Sequence, residues 1–134
     1  MQNIARKILY AEDDPDDREF FAHAVSSVDK NVELLFVENG VQAIKQLELL
    51  SQGDDKLPGL VILDLNMPYM DGKTTLAKIK NNPVFKDVSI LIFTSSANPA
   101  DKNFFANIGI EMITKPSDTL QLQSIAKHMI EMCS

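Results

Sequence analysis

The sequence predicts an α/β fold, with five parallel strands in one sheet and five helices on its two faces. Three observations carry that prediction. Short apolar runs alternate five times with stretches whose apolar residues recur at helical spacing. The runs Leu60–Leu63 and Val88–Phe93 are almost wholly apolar, as strands covered on both faces must be. Polar residues collect where those runs end, as in Glu12-Asp13-Asp14, Asp64, Thr94-Ser95 and Lys115. In open parallel sheets, ligands bind at the carboxyl ends of the strands.

Composition narrows the class. The chain has 134 residues, the size of a single domain, and 45% of them are hydrophobic. No apolar run approaches the ~20 residues that would cross a bilayer. The start, Met1 to Lys7, lacks the apolar stretch of a signal peptide. A net charge of −6 opposes nonspecific binding to nucleic acid, which needs clustered Lys and Arg. Cys133 is the only cysteine, so no internal disulfide can form. A cytoplasmic protein that engages neither membrane nor nucleic acid is the expectation.

Each element has a local signature. Lys7–Ala11 reads as strand 1. Pro15 suits the first turn of helix 1, where Asp16, Asp17 and Glu19 complement the positive end of the dipole. Phe21, Ala24, Val25 and Val28 form its apolar stripe. Val32–Val37 is strand 2. Asn39 and Gly40 open helix 2, with Val41, Ile44, Leu47 and Leu50 inward. Ser51 to Pro58 reads as a polar surface loop leading to strand 3, Leu60–Leu63. Asp71 caps helix 3, whose inner residues are Leu76 and Ile79, and Asn81-Asn82-Pro83 ends it. Strand 4 follows over Val88–Phe93. Asn98-Pro99 starts helix 4 and Gly109 stops it. Ile110–Thr114 is strand 5. Ser117 or Asp118 caps helix 5, which buries Leu122, Ile125, Ala126 and Met129. Of the adjacent Phe104 and Phe105, only one can face inward. His23 and His128 read as surface or structural groups.

The stretch from Val61 to Gly72, with the acidic cluster at Glu12-Asp13-Asp14, Thr94-Ser95 and Lys115-Pro116, resembles the receiver domains of two-component response regulators. The resemblance spans nearly the whole chain, and four motifs in the right order at strand ends make it specific. It implies a flavodoxin-like, doubly wound sheet of order 2-1-3-4-5, the order known for this family's chemotaxis member. With that order, Asp13, Asp64, Thr94 and Lys115 converge on one edge. With the sequence ending at Ser134, one receiver domain over residues 1–134 with no output domain is the expectation. Such a domain takes a phosphoryl group from a sensor histidine kinase or phosphotransfer protein and switches contacts with an output protein of unknown identity.

The chemistry of the residues agrees. Carboxylates gathered in one pocket repel unless a cation sits among them. Hard oxygen donors suit Mg²⁺, and no nearby His or Cys suggests zinc. Asp13 is assigned as a direct ligand, Glu12 as one acting through water, and Asp64 as the donor of a carboxylate oxygen. The resemblance adds the carbonyl of Asn66. Asp14 stays ambiguous. Asp64 is also the candidate nucleophile, with Lys115 and Thr94 contacting the transferred group. Self-catalysed phosphorylation and dephosphorylation are expected, without metabolic enzyme activity. The resemblance gives Asn66 and Ser96 influence over the phosphoryl lifetime. In many receivers an aromatic residue three positions before the lysine follows the threonine. Here that position is Met112, which implies a softer coupling. A cis bond is expected at Lys115-Pro116, to turn Lys115 back toward Asp64.

Two alternatives stay open. One is a pseudo-receiver that binds partners without phosphate; the intact acidic, Thr and Lys set opposes it. The other is a flavodoxin-type electron carrier, for which the acidic segment after strand 1 would repel a flavin phosphate. A haloacid-dehalogenase-type phosphatase would need a second carboxylate where Asn66 stands.

Overall fold

The computed structural model describes residues 6–53, 57–96 and 98–133. Strands β1 (Lys7–Ala11), β2 (Glu33–Val37), β3 (Leu60–Leu63), β4 (Ile90–Thr94) and β5 (Glu111–Thr114) alternate with helices. The helices are α1 (Pro15–Val28), α2 (Gly40–Gln52), α3 (Gly72–Lys80), α4 (Pro99–Asn107) and α5 (Thr119–Met132). All strand pairs are parallel, and the order is β2-β1-β3-β4-β5. Both the predicted fold class and the strand order are therefore correct.

The sheet divides the core in two. Side chains alternate across a strand with period two, so Ile8, Tyr10, Leu60, Ile62, Leu91 and Phe93 face α1 and α5. Leu9, Ala11, Val61, Leu63, Ile90 and Ile92 face α2, α3 and α4. Every residue of β3 and β4 is buried. Each large side chain so buried contributes about 1.5–3 kcal/mol, which fixes the strand ends relative to one another.

All five helices start on an Asx cap. Asp14, Asn39, Asp71, Asn98 and Asp118 each accept a hydrogen bond from a backbone N–H two or three residues on, at 2.8–3.0 Å. Asp118, not Ser117, caps α5. The cap bond from the Thr74 N–H holds the Asp71 carboxyl below its ordinary range. Gly109 ends the α4 turn at φ +73°, a conformation that favours glycine. A Cβ on Gly72 would collide with the Asp64 carbonyl oxygen, so glycine lets α3 start directly against the end of β3.

Several expectations need correction. In α2, Ala43 is buried with Leu47 and Leu50, whereas Val41 and Ile44 are only half-buried. The helix turns its small residue to the sheet because Gly40 must approach Thr75 and Met70 closely. Val28 is exposed at the end of α1, and Ile130 is buried where Ile125 is half-buried in α5. Ser51 and Gln52 belong to α2 and not to the loop; residues 54–56 of that loop lie outside the described residues. β2 and β5 each start one residue later than expected, and β4 runs two residues later at its start and one at its end. No peptide bond among the described residues is cis, so the cis bond expected before Pro116 is absent. The Lys115 N–H instead donates to the Thr94 carbonyl at 2.8 Å, continuing the β4–β5 ladder. The long side chain of Lys115, not a chain reversal, carries its ammonium to the carboxylates. No described helix is long and apolar enough to cross a membrane.

Candidate functional site

The carboxyl ends of β1, β3, β4 and β5 enclose an open cleft of about 270 Å³. Glu12, Asp13, Asp14 and Asp17 line it from the β1–α1 side, Asp64 and Asn66 from β3, Thr94 and Ser95 from β4, and Lys115 from β5. Every residue expected at the site is therefore in one place, although the chain separates Glu12 from Lys115 by 103 positions. What joins them is the strand order, which sets β1 and β4 on either side of β3.

The acidic group is tightly built. One carboxylate oxygen from each of Glu12, Asp13 and Asp64 falls within 4.8 Å of the others. Glu12 is buried, and Asp13 is exposed. Glu12 Oε2 accepts the Asp14 backbone N–H at 3.1 Å, and the Tyr10 hydroxyl donates to Glu12 Oε1 at 3.4 Å. Arg18 Nη1 donates to the Glu12 carbonyl oxygen at 2.9 Å. Burial pushes the Glu12 carboxyl up to about 7, against the lowering pull of Lys115. Burial, reinforced by Glu12 and Asp64, likewise raises the Tyr10 phenol.

Lys115 is the counter-charge. Its Nζ donates to Glu12 Oε1, to Asp17 Oδ2 at 3.0 Å and to Asp64 Oδ2 at 3.1 Å. Burial alone would lower its pKa, but the three carboxylates outweigh that and hold the ammonium above its ordinary value. Asp64 Oδ1 accepts the Asn66 N–H at 3.4 Å. Thr94 is fully buried, and its Oγ1 accepts the Ser96 N–H at 3.3 Å. Asp14 resolves as the cap of α1.

Asp17 stands in the first turn of α1, as its reading as a helix-dipole charge requires, but it also lines the site, which sequence reasoning missed. It lies one helical turn after Asp13. That spacing was the available signal. Tyr69, the one described non-glycine residue with positive φ (68°), stands on the loop after Asp64 and is 89% exposed.

The donor set fits a hard divalent cation. All three grouped donor atoms are carboxylate oxygens, two of them on buried residues, and Lys115 neutralises part of the charge through Glu12 and Asp64.

Comparison with known proteins identifies the family and agrees with the fold. The family profile described as response regulator receiver domain matches residues 8–127. Response regulator Rcp1 of Synechocystis sp. is 31% identical over 100 residues, covering 74% of this chain and 68% of its own. The sensor histidine kinase CheAY of Helicobacter pylori is 29% identical over 93% of this chain, which spans only 15% of that protein. Among solved structures, the phosphorylated cyanobacterial phytochrome response regulator RcpA matches with a TM-score of 0.83 and 28% identity, covering 97% of this chain and 94% of its own. The Mn²⁺-bound form of Rcp1 matches with a TM-score of 0.78 and 28% identity, covering 92% and 90%.

Proposed function

The chain belongs to the response regulator receiver family, and from that premise we propose that Asp64 accepts a phosphoryl group from a histidine kinase or phosphotransfer protein. The observation that carries this reading is the position of the Asp64 carboxylate, between the Lys115 ammonium at 3.1 Å and the Glu12–Asp13 pair. An Asp64 oxygen would form a bond to phosphorus as the donor's phosphorus–nitrogen bond breaks, with the electron pair staying on the imidazole nitrogen.

Glu12, Asp13, Asp64 and the carbonyl of Asn66 would hold Mg²⁺, which supplies positive charge to the oxygens of the transferred group. The Mn²⁺-bound Rcp1 structure supports a divalent cation here. Lys115 would donate to a phosphoryl oxygen from the β5 side, and Thr94 from β4. A charge-assisted hydrogen bond from Thr94 contributes roughly 1.5–3 kcal/mol, enough to shift a two-state population about tenfold to a hundredfold. The result would be a changed surface for an output protein over α4, β5 and α5. We read residues 1–134 as one receiver domain.

Mass analysis after incubation with acetyl phosphate and Mg²⁺ tests this. Wild type is expected to gain one phosphoryl group. Asp64→Asn, Asp13→Asn or added chelator should leave little or none. Equal uptake by Asp64→Asn would overturn the assignment, and no uptake by wild type would favour a phosphate-independent interaction module.

A further inference from the structure

An ammonium has three N–H donors and no acceptor. Lys115 directs them at three carboxylates, those of Glu12, Asp17 and Asp64. Glu12 and Asp64 stand at strand ends, but Asp17 is the third residue of α1. An acidic side chain there can fold back onto the backbone N–H of the cap residue. That N–H, on Asp14, is already bound by Glu12 Oε2. Asp17 has no cap to complete, and it turns to Lys115.

The three partners differ in their access to water. The Glu12 and Asp64 side chains are 2% and 10% exposed, whereas that of Asp17 is 39% exposed. Solvent can replace the ammonium at Asp17 far more readily than at the other two. We propose that Asp17 is a positioning residue: it parks the Lys115 ammonium in the free protein and releases it when a phosphoryl group reaches Asp64. The inference rests on the phosphoacceptor reading above. A phosphoryl oxygen needs a donor from Lys115, and the Asp17 contact is the one that can be exchanged at least cost. While Lys115 is parked, only a fraction of molecules present a ready donor, and apparent affinity for the phosphodonor falls by that fraction.

The experiment follows phosphorylation by acetyl phosphate at saturating Mg²⁺ in wild type, Asp17→Asn, Asp17→Ser and Asp17→Glu. It also records the Lys115 Cε–H resonance of each free protein and of phosphorylated wild type. Asp17→Asn and Asp17→Ser should lower the half-saturating donor concentration about twofold to fivefold, the scale of an ion pair this exposed. In both, the Lys115 resonance should move toward its phosphorylated position, and Asp17→Glu should match wild type in both readouts. An unchanged donor requirement overturns the inference. So does a lowered requirement with an unmoved Lys115 resonance, because loss of charge repulsion on the anionic donor then accounts for it. A tenfold loss of Mg²⁺ affinity in Asp17→Asn also overturns it, by making Asp17 a metal ligand. Failure of wild type to take up phosphoryl removes the phosphoacceptor reading, and this inference with it.

Discussion

Helices α1 and α4 begin alike and are held differently. Each starts on an Asx cap, with proline next and an acidic residue in the first turn. α1 buries Phe21, Ala24 and Val25, and its first turn is anchored at the site by Asp17 on Lys115 and Arg18 on the Glu12 carbonyl. α4 buries Phe105 alone. Its first turn is tied by Asp101 to Lys73, at 2.8 Å on the surface, and Lys73 lies 4.9 Å from the Phe104 ring centroid. Identical start signals thus give one helix tied to the site and one with few buried contacts, for which the local opening cost is low.

The largest expected effect breaks α4 at its single anchor. Phe105→Ala should cost about 3–5 kcal/mol in denaturant unfolding. Amide exchange should speed up over residues 99–107 while residues 16–28 stay protected. Equal loss of protection in both helices would refute the difference in grip.

Next in size is the coupling itself. Thr94→Ala would remove the proposed hydrogen bond of about 1.5–3 kcal/mol to the phosphoryl group. It should blunt the phosphorylation-dependent amide shifts over residues 98 to 116 and leave phosphorylation largely intact. Shifts centred on α1 would reverse the roles assigned to the two helices. Met112, on β5 opposite Ile92 of β4, is half-buried against the core. Its flexible side chain would let it follow Thr94 without a two-position swing.

The α1 side should respond to pH. With Glu12 raised to about 7 by burial, a proton there would compete with the proposed cation, so Mg²⁺ affinity should fall as the pH drops below that value. The ordinary value for a glutamate side chain is 4.5, which stands for the unfolded chain. Between the two values the folded protein holds the proton more tightly, so raising the pH through that window should reduce metal-free stability. Glu12→Gln should flatten both slopes, as read by Mg²⁺ titration and thermal melting across pH. Slopes that persist in Glu12→Gln would place the proton elsewhere.

The smallest effect sharpens the comparison. Lys73→Ala removes an exposed ion pair and should change global stability by less than about 1 kcal/mol. It should still raise amide exchange in the first turn of α4. A drop of several kcal/mol would mean that the surface tie, not Phe105, holds the helix.

Much of this could be read from the sequence because the signals are local. An Asx side chain caps a helix two or three residues away, and an apolar run declares a buried strand by itself. Asp64 at the end of such a run, the caps at Asp71 and Asn98, and the stop at Gly109 needed no knowledge of distant residues. Tertiary structure decided what depends on reach between elements. Ala43 faces the sheet because α2 lies close against Thr75 and Met70, which the periodicity of α2 cannot reveal. The bond before Pro116 is trans, and the length of the Lys115 side chain is what reaches the carboxylates. Asp17 joins the site only because the long side chain of Lys115, 98 positions away along the chain, reaches it from the end of β5. Charge and spacing named the carboxylates, but only packing could determine which of them the single lysine would hold.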